Sequence, residues 1–128
     1  MMGAVPWSLE EIDSQHPIVE VHYAGVLDAH ELADAFAAAA LQAQQRNLSR
    51  VLADCTELQG GHSVIDLYGL VSRLKALDPS GALHEALIRP TNKKGAELVR
   101  FFETAAVNRG LTIRTFGDRE SAIDWLMQ

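Results

Sequence analysis

The chain has 128 residues, of which 48% are hydrophobic and 22% charged, and its formal net charge is −6 at pH 7. This length and mixture are typical of a single globular domain over residues 1–128 and exclude an intrinsically disordered chain. The negative charge disfavours nucleic acid and anionic membranes as partners, because both attract positive surfaces. No run of about 18 apolar residues is present, so no membrane span is expected.

The first third of the sequence predicts two strands and a helix. Residues 7–13 form a weak strand, and residues 18–23 form a better one that is rich in β-branched side chains and ends at Gly25. Asp28 has the spacing of a capping box and predicts the start of a helix that stops at Asn47. The apolar positions of this helix recur at helical spacing: Leu32, Phe36, Ala39, Ala40 and Ala43.

The middle of the chain predicts a buried strand, a loop and a second helix. Residues 51–53 are continuously apolar, as in a parallel strand that is covered on both faces, and residues 56–62 form the predicted loop. Ser63 stands three residues before Asp66, again at cap spacing, and residues 78–81 break the helix that follows. The helical stripe consists of Val64, Leu67, Leu70, Val71, Leu74 and Leu77.

The last third repeats the alternation. Residues 86–88 predict another buried strand, and residues 111–116 predict the last one. Between them lies an amphipathic helix that ends at Gly110, and Asp118 begins a final short helix. The apolar residues of these two helices are Leu98, Phe101, Phe102, Ala105 and Ala106 in the first, and Ala122, Ile123 and Leu126 in the second.

The predicted order is therefore β-β-α-β-α-β-α-β-α, which indicates an α/β fold. Strands that alternate with helices favour right-handed crossovers and a mostly parallel five-stranded sheet with helices packed on it. The first strand is joined to the second by a short turn at His16-Pro17, so we expect it to be antiparallel.

Two segments resemble the STAS/SpoIIAA-like family. Residues 51–70 have an apolar strand ending in Asp, a short loop and a Ser at the start of a helix, which is similar to the STAS signature. Residues 101–110 and 114–126 resemble the ending of uncharacterised bacterial SpoIIAA-like proteins. The resemblance extends from about residue 5 to the end of the chain.

This resemblance implies a non-enzymatic regulatory or protein-interaction domain like the anti-sigma-factor antagonists. Such domains bind a kinase-like protein and are switched by phosphorylation of a Ser that Ser63 matches here. The family usually has Asp before that Ser and a small residue and Gly after it, whereas this chain has His62 before and Val64-Ile65 after. SpoIIAA-like proteins are also related in fold to CRAL-TRIO lipid-binding domains, so a carrier of a small apolar ligand or lipid is the alternative.

Candidate site residues fall at the start of the second helix and at the rim of the sheet. Ser63 is either a helix cap or the phosphoacceptor. Ligands of open α/β sheets bind beyond the carboxyl ends of the strands, and the residues expected there are Asp54, Cys55, His62, Arg89, Thr91, Lys93 and Lys94. The basic residues among them form either an anion site or a solvated loop, and Cys55 is either a reactive thiol or a small buried side chain.

The remaining patterns argue against metal and cofactor chemistry. The five histidines show no paired ligand spacing, and the sequence has no phosphate-binding or nucleophile motif, so neither a metal nor a cofactor is expected. Because Cys55 is the only cysteine, we expect no disulfide within the chain and a cytoplasmic location. Tyr68 and Trp125 lie on predicted helices, where they cover either the core or the face of a homodimer.

Overall fold

A computed structural model describes residues 7–11 and 16–128 of the chain. The elements alternate in the predicted order, which confirms the α/β class. Their bounds are β1 (Trp7–Glu11), β2 (Val19–Val26), α1 (Ala29–Gln45), β3 (Arg50–Gly60), α2 (Val64–Leu77), β4 (His84–Ile88), α3 (Lys93–Asn108), β5 (Thr112–Phe116) and α4 (Arg119–Leu126). Residues 12 and 13, which the sequence assigned to the first strand, lie outside the described residues.

The five strands form one sheet in the order β1-β2-β3-β4-β5. Strand β1 pairs antiparallel with β2, and the other neighbours pair in parallel. Each parallel connection passes through a helix, because parallel neighbours need a long crossover whereas antiparallel ones can be joined by a short turn. The predicted sheet, including its antiparallel first strand, is therefore confirmed.

Helices cover the two faces of the sheet unequally. The buried residues of α1, α2 and α3 share one large core with alternate residues of the strands, including Val51 and Ala53 of β3. Leu52 points the other way and packs in a smaller core with Ala122 and Leu126 of α4. Helix α4 is eight residues long and packs mainly on β3, β4 and β5.

The predicted end of the third strand is wrong. Strand β3 does not end at Ala53 but continues to Gly60, so that most of the predicted loop 56–62 is strand. From Thr56 onward the strand pairs with β2 and not with β4, past an irregularity in the β2–β3 register. Leu58 is buried there between the exposed residues Glu57 and Gln59. Gly25 also lies inside a strand, because β2 continues to Val26.

The predicted helix ends agree with the structure. Asp28 closes a capping box at the start of α1, and Asp118 accepts a hydrogen bond from the backbone of Ser121 at the start of α4. Asn47 and Gly110 follow α1 and α3 with positive φ angles of 57° and 87°, the left-handed geometry in which helices commonly stop. None of the helices in the described ranges is long and apolar enough to cross a bilayer.

Candidate functional site

Ser63 closes the first turn of α2 with a reciprocal pair of hydrogen bonds. The backbone N–H of Asp66 donates to Oγ of Ser63 at 3.2 Å, and the backbone N–H of Ser63 donates to Oδ2 of Asp66 at 2.9 Å. Both side chains are exposed, so the hydroxyl is within reach of another molecule. The Asp66 carboxylate lies against this position, so a phosphate added to Ser63 would meet like charge there as well as the positive end of the helix dipole.

Exposed apolar side chains lie near this cap. Ile65 and Tyr68 are 81% and 55% exposed, and Val64 beside them is also exposed. Val26, at the end of β2, is 65% exposed and close to Gly61, since a Cβ built on Gly61 would lie 2.7 Å from Val26 Cγ1. We call Val26, Val64, Ile65 and Tyr68 the α2 surface.

The orientation of α2 produces this surface. Its buried stripe consists of Leu67, Leu70, Val71 and Leu74, so the first turn presents its remaining apolar side chains outward. Val64 and Leu77, at the two ends of the apolar stripe seen in the sequence, are exposed. Tyr68 is held by an edge-to-face contact with Phe101 of α3, with 5.2 Å between the ring centroids.

A cavity of about 50 Å³ lies between the sheet and helices α1, α2 and α3. Most of the residues that line this cavity are apolar. The carboxylic acid Glu85 of β4 also lines it and is only 4% exposed. Burial raises the pKa of Glu85 to about 8, so its carboxyl is mostly protonated at neutral pH. Tyr23 and Cys55 line the same cavity, and burial raises the pKa of each well above its ordinary value. Cys55 is therefore a protonated buried thiol, without the thiolate that reactivity requires.

A polar cluster lies on the opposite face of the sheet, beside the first residue of α4. Glu20 is 3% exposed and pairs through both carboxylate oxygens with the guanidinium of Arg119, one contact measuring 2.6 Å. Nε2 of His22 lies 2.5 Å from Oε2 of Glu20, without the alignment of a hydrogen bond, and Nδ1 lies 3.5 Å from Oδ2 of Asp54. Asp54 is fixed from its other oxygen by the backbone and hydroxyl of Thr56.

Three residues of this cluster have the donor types of a divalent cation site. Each of these residues, Glu20, His22 and Asp54, offers one ligand atom, and the three atoms lie within 4.8 Å of one another. The histidine spacing gave no sign of such a group, because its members come from two neighbouring strands. Arg119 already occupies both oxygens of Glu20 and places a positive charge beside the position a cation would take. The three residues are therefore better described as part of an ion-paired cluster than as a metal site.

The predicted rim residues do not form one site. Asp54 and Cys55 lie inside β3 and face opposite sides of the sheet, and His62 lines the cavity while its Nδ1 lies 3.2 Å from the carbonyl oxygen of Leu27. The guanidinium of Arg89 turns towards β5, where it donates to Oγ1 of Thr115 at 3.3 Å. The other candidates are exposed around the start of α3: Thr91, Lys93 and Lys94.

The start of α3 is already satisfied by its own cap. Oδ1 of Asn92 accepts from the backbone N–H of Gly95 at 2.6 Å, and its Nδ2 donates to the carbonyl of Leu58 at 3.3 Å. This ties the helix to β3 and leaves Lys93 and Lys94 as exposed charges at a helix N-terminus. The anion site remains a prediction for these residues.

Sequence reasoning missed Glu20 and Glu85. Glu20 interrupts the run Ile18-Val19-Glu20-Val21, and Glu85 directly precedes the apolar run Ala86-Leu87-Ile88. A carboxylate next to buried-strand residues was the available signal, because carboxylates are almost never fully buried without a specific reason.

No protein-family model matches the chain, and no curated protein matches it. Among solved structures, the unphosphorylated form of the anti-sigma factor antagonist SpoIIAA is similar, with 19% identity, a TM-score of 0.58 and coverage of 94% of this chain and 97% of that one. An uncharacterized protein of the DUF3478 family with a SpoIIAA-like fold, from Shewanella loihica, has 20% identity, a TM-score of 0.60 and 98% coverage of both chains.

The phosphorylated form of the Bacillus cell fate determinant SpoIIAA is also similar, with 20% identity and a TM-score of 0.51 over 93% of this chain and 97% of that one. These similarities extend over nearly the whole chain. The chain therefore has the STAS/SpoIIAA-like fold, as the resemblance in its sequence implied, and identities at this level show the fold alone.

Proposed function

We propose that this chain is a non-enzymatic protein-interaction domain that docks a protein partner on its α2 surface. The observation that carries the proposal is the exposure of Ile65 and Tyr68, two large apolar side chains beside the exposed cap Ser63. Exposed apolar side chains that adjoin one another cost solubility unless another surface covers them. The similarity to an anti-sigma factor antagonist supports the same reading, because that protein acts on another protein.

In this role, residues 1–128 act as one cytoplasmic domain that works without a cofactor. The partner is a protein with its own apolar patch, and a second copy of this chain, which would make a homodimer, is the alternative occupant. A lipid carrier is less well supported, since ligand pockets are typically about 300–1,000 Å³ and the cavity of this chain is about 50 Å³.

A matched pair of charge substitutions tests the α2 surface. Ile65→Asp places a charge in the centre of the proposed interface, and Val107→Asp places one at a half-exposed apolar position on α3. Both variants should keep the parent's thermal midpoint within a few degrees, because neither side chain is buried. In affinity capture from native extract, we expect a partner bound by the parent to be retained by the α3 variant and weakened at least about tenfold by Ile65→Asp. Equal capture by both variants would rule out the α2 surface as the docking site.

A further inference from the structure

Helices α2 and α3 hold an excess of positive charge in a chain whose formal net charge is −6. Together with Arg109, which caps the end of α3, they contain six of the 11 lysines and arginines of the chain and three of its 17 acidic residues. The six basic residues are Arg73, Lys75, Lys93, Lys94, Arg100 and Arg109. The α2 surface therefore lies on a positively charged pair of helices, and the rest of the chain carries the negative charge.

The three acidic residues of these helices, Asp66, Glu97 and Glu103, do not neutralise the excess. The Asp66 carboxylate is used in the capping box with Ser63, and the Glu103 carboxylate accepts hydrogen bonds from the backbone and hydroxyl of Thr115 on β5. Within residues 7–11 and 16–128, no ion pair joins a carboxylate to any of the six basic side chains. Their charges are therefore available to another molecule.

A groove between the two helices continues from the α2 surface. Its walls include Tyr68 and Val71 of α2 and Phe101 and Ala105 of α3, and Arg109 also lines it. The groove has a volume of about 160 Å³. One water molecule needs about 10–15 Å³ of such space, so a side chain of the size of leucine or phenylalanine fits. Because Tyr68 belongs to both features, a protein segment that covers the α2 surface also reaches the groove.

Two of the six cations lie at the same end of this groove. Arg109 lines it, and Nζ of Lys75 is close to the next residue, since a Cβ built on Gly110 would lie 3.0 Å from that nitrogen. Lys75 donates a hydrogen bond to the carbonyl oxygen of Pro79 at 2.6 Å, which leaves its charge unpaired. A mostly apolar groove with two cations at one end is complementary to an apolar side chain that has a carboxylate nearby.

The charge of this surface also decides which occupant it fits. A second copy that docked symmetrically would bring two positive surfaces together, since such an interface pairs the same patch of both copies, and like charges across an interface are costly. Nucleic acid and anionic membranes are extended negative surfaces, which the negative charge of the rest of the chain repels. A protein segment supplies a carboxylate and an apolar side chain over a short length.

We propose that the partner of the α2 surface is an acidic protein segment, which places a large apolar side chain in the groove between α2 and α3 and a carboxylate beside Lys75 and Arg109. This inference rests on the proposed docking role, and it adds the charge of the partner and the position of its apolar anchor.

The probe is a phage-displayed library of random dodecapeptides, selected in parallel on the parent, on Arg109→Glu and on Arg114→Glu. Arg114 is the matched control, because it is exposed on β5 and its guanidinium lies over the ring of Phe116, which packs with α4. We expect the parent and the control to enrich peptides that combine aspartate or glutamate with leucine, phenylalanine or tryptophan. As a synthetic peptide, the most enriched sequence should bind Arg109→Glu at least about tenfold more weakly than the parent, and the control within about threefold.

Two further variants complete the test. Thr104 is exposed and lines the groove, so Thr104→Trp should fill the groove and weaken the same peptide at least about tenfold. Arg109→Gln removes the charge without reversing it and should weaken the peptide at least about threefold, and it decides the role of the charge if Arg109→Glu does not fold.

Ile65→Asp distinguishes a failure of this inference from a failure of the docking role. Peptides that bind the parent and are lost by Ile65→Asp, but that lack acidic residues or bind the Arg109 variants unchanged, would overturn the acidic partner and leave the docking role intact. Acidic peptides that bind the parent and Ile65→Asp equally would overturn both. Selection of no peptide by the parent, or binding of the parent to phosphatidylglycerol vesicles that Arg109→Glu loses, would also overturn the inference.

Discussion

Glu20 and Glu85 show two ways of keeping a carboxylate inside one sheet. Glu20 faces α4, and its charge is matched by the Arg119 guanidinium. Glu85 faces the three-helix side, where no lysine or arginine of the described residues lines the cavity, and burial raises its pKa to about 8. One carboxylate is therefore kept inside the sheet by an ion pair and the other by its apolar surroundings, which raise its pKa.

The pH dependence of stability follows from Glu85. Its pKa is about 8 in the folded chain, against an ordinary value of 4.5, so between these values the folded state holds a proton that the unfolded state has lost. The contribution of Glu85 is most favourable below pH 4.5 and is lost as the pH rises towards 8, by a few kcal/mol in total. Glu85→Gln does not titrate, so its stability relative to the parent should increase across this range.

Urea unfolding at several pH values between 5 and 8 measures this difference. Tyr23 and Cys55 face Glu85 with raised pKa values and stay neutral throughout, while His62 is present in both proteins and cancels in the comparison. Parallel stability curves for the parent and Glu85→Gln would show that Glu85 titrates normally and that the cavity is wet.

Ser63 makes a second test at this scale, because its two roles give different forecasts. As a cap, Ser63→Ala should lower the free energy of unfolding by about 0.5–2 kcal/mol, whereas Ser63→Asp should be tolerated. As a phosphorylation switch, Ser63→Asp should abolish partner capture and Ser63→Ala should preserve it. The reciprocal bonds with Asp66 lead us to expect the cap result.

Denaturant unfolding of both variants, followed by capture of the partner, separates the two roles. Loss of the partner from the Asp form alone, with unchanged stability of the Ala form, would contradict the cap.

At the scale of elements, α3 joins the core and the α2 surface through adjacent aromatic residues. Phe102 is 6% exposed and belongs to the large core, while Phe101 is partly exposed and contacts Tyr68. Phe102→Ala should therefore cost about 3–5 kcal/mol of stability, and Phe101→Ala should cost clearly less. Equal urea midpoints for the two variants would mean that α3 is rotated from the position described.

Local patterns predicted the elements better than their extents. The capping residues Asp28 and Asp118 and the stop at Gly110 could be read from the sequence, because caps depend on residues only a few positions apart. The extension of β3 beyond Ala53 could not, since it depends on pairing with β2 past a bulge. The groupings around Glu20 and Glu85 were missed for the same reason, because strands distant in sequence bring their members together.

At the scale of the whole molecule, the two faces of the sheet divide the candidate roles. The three-helix side contains the cavity, the α4 side contains the ion-paired cluster, and the α2 surface lies outside both. A protein can therefore dock on the α2 surface without covering the α4 side of the sheet, while the buried stripe of α2 lines the cavity through Leu67, Leu70 and Leu74.

Photo-crosslinking from α2 tests the docking role most directly. A benzoylphenylalanine replaces either Tyr68 on α2 or Leu41 on α1, which are both 55% exposed and so provide equal access to solvent. Irradiation in cells should give a discrete adduct of higher mass from position 68 and none from position 41. An adduct at twice the monomer mass would identify the partner as a second copy of the chain. Equal adducts from both positions, or none from position 68, would contradict the account.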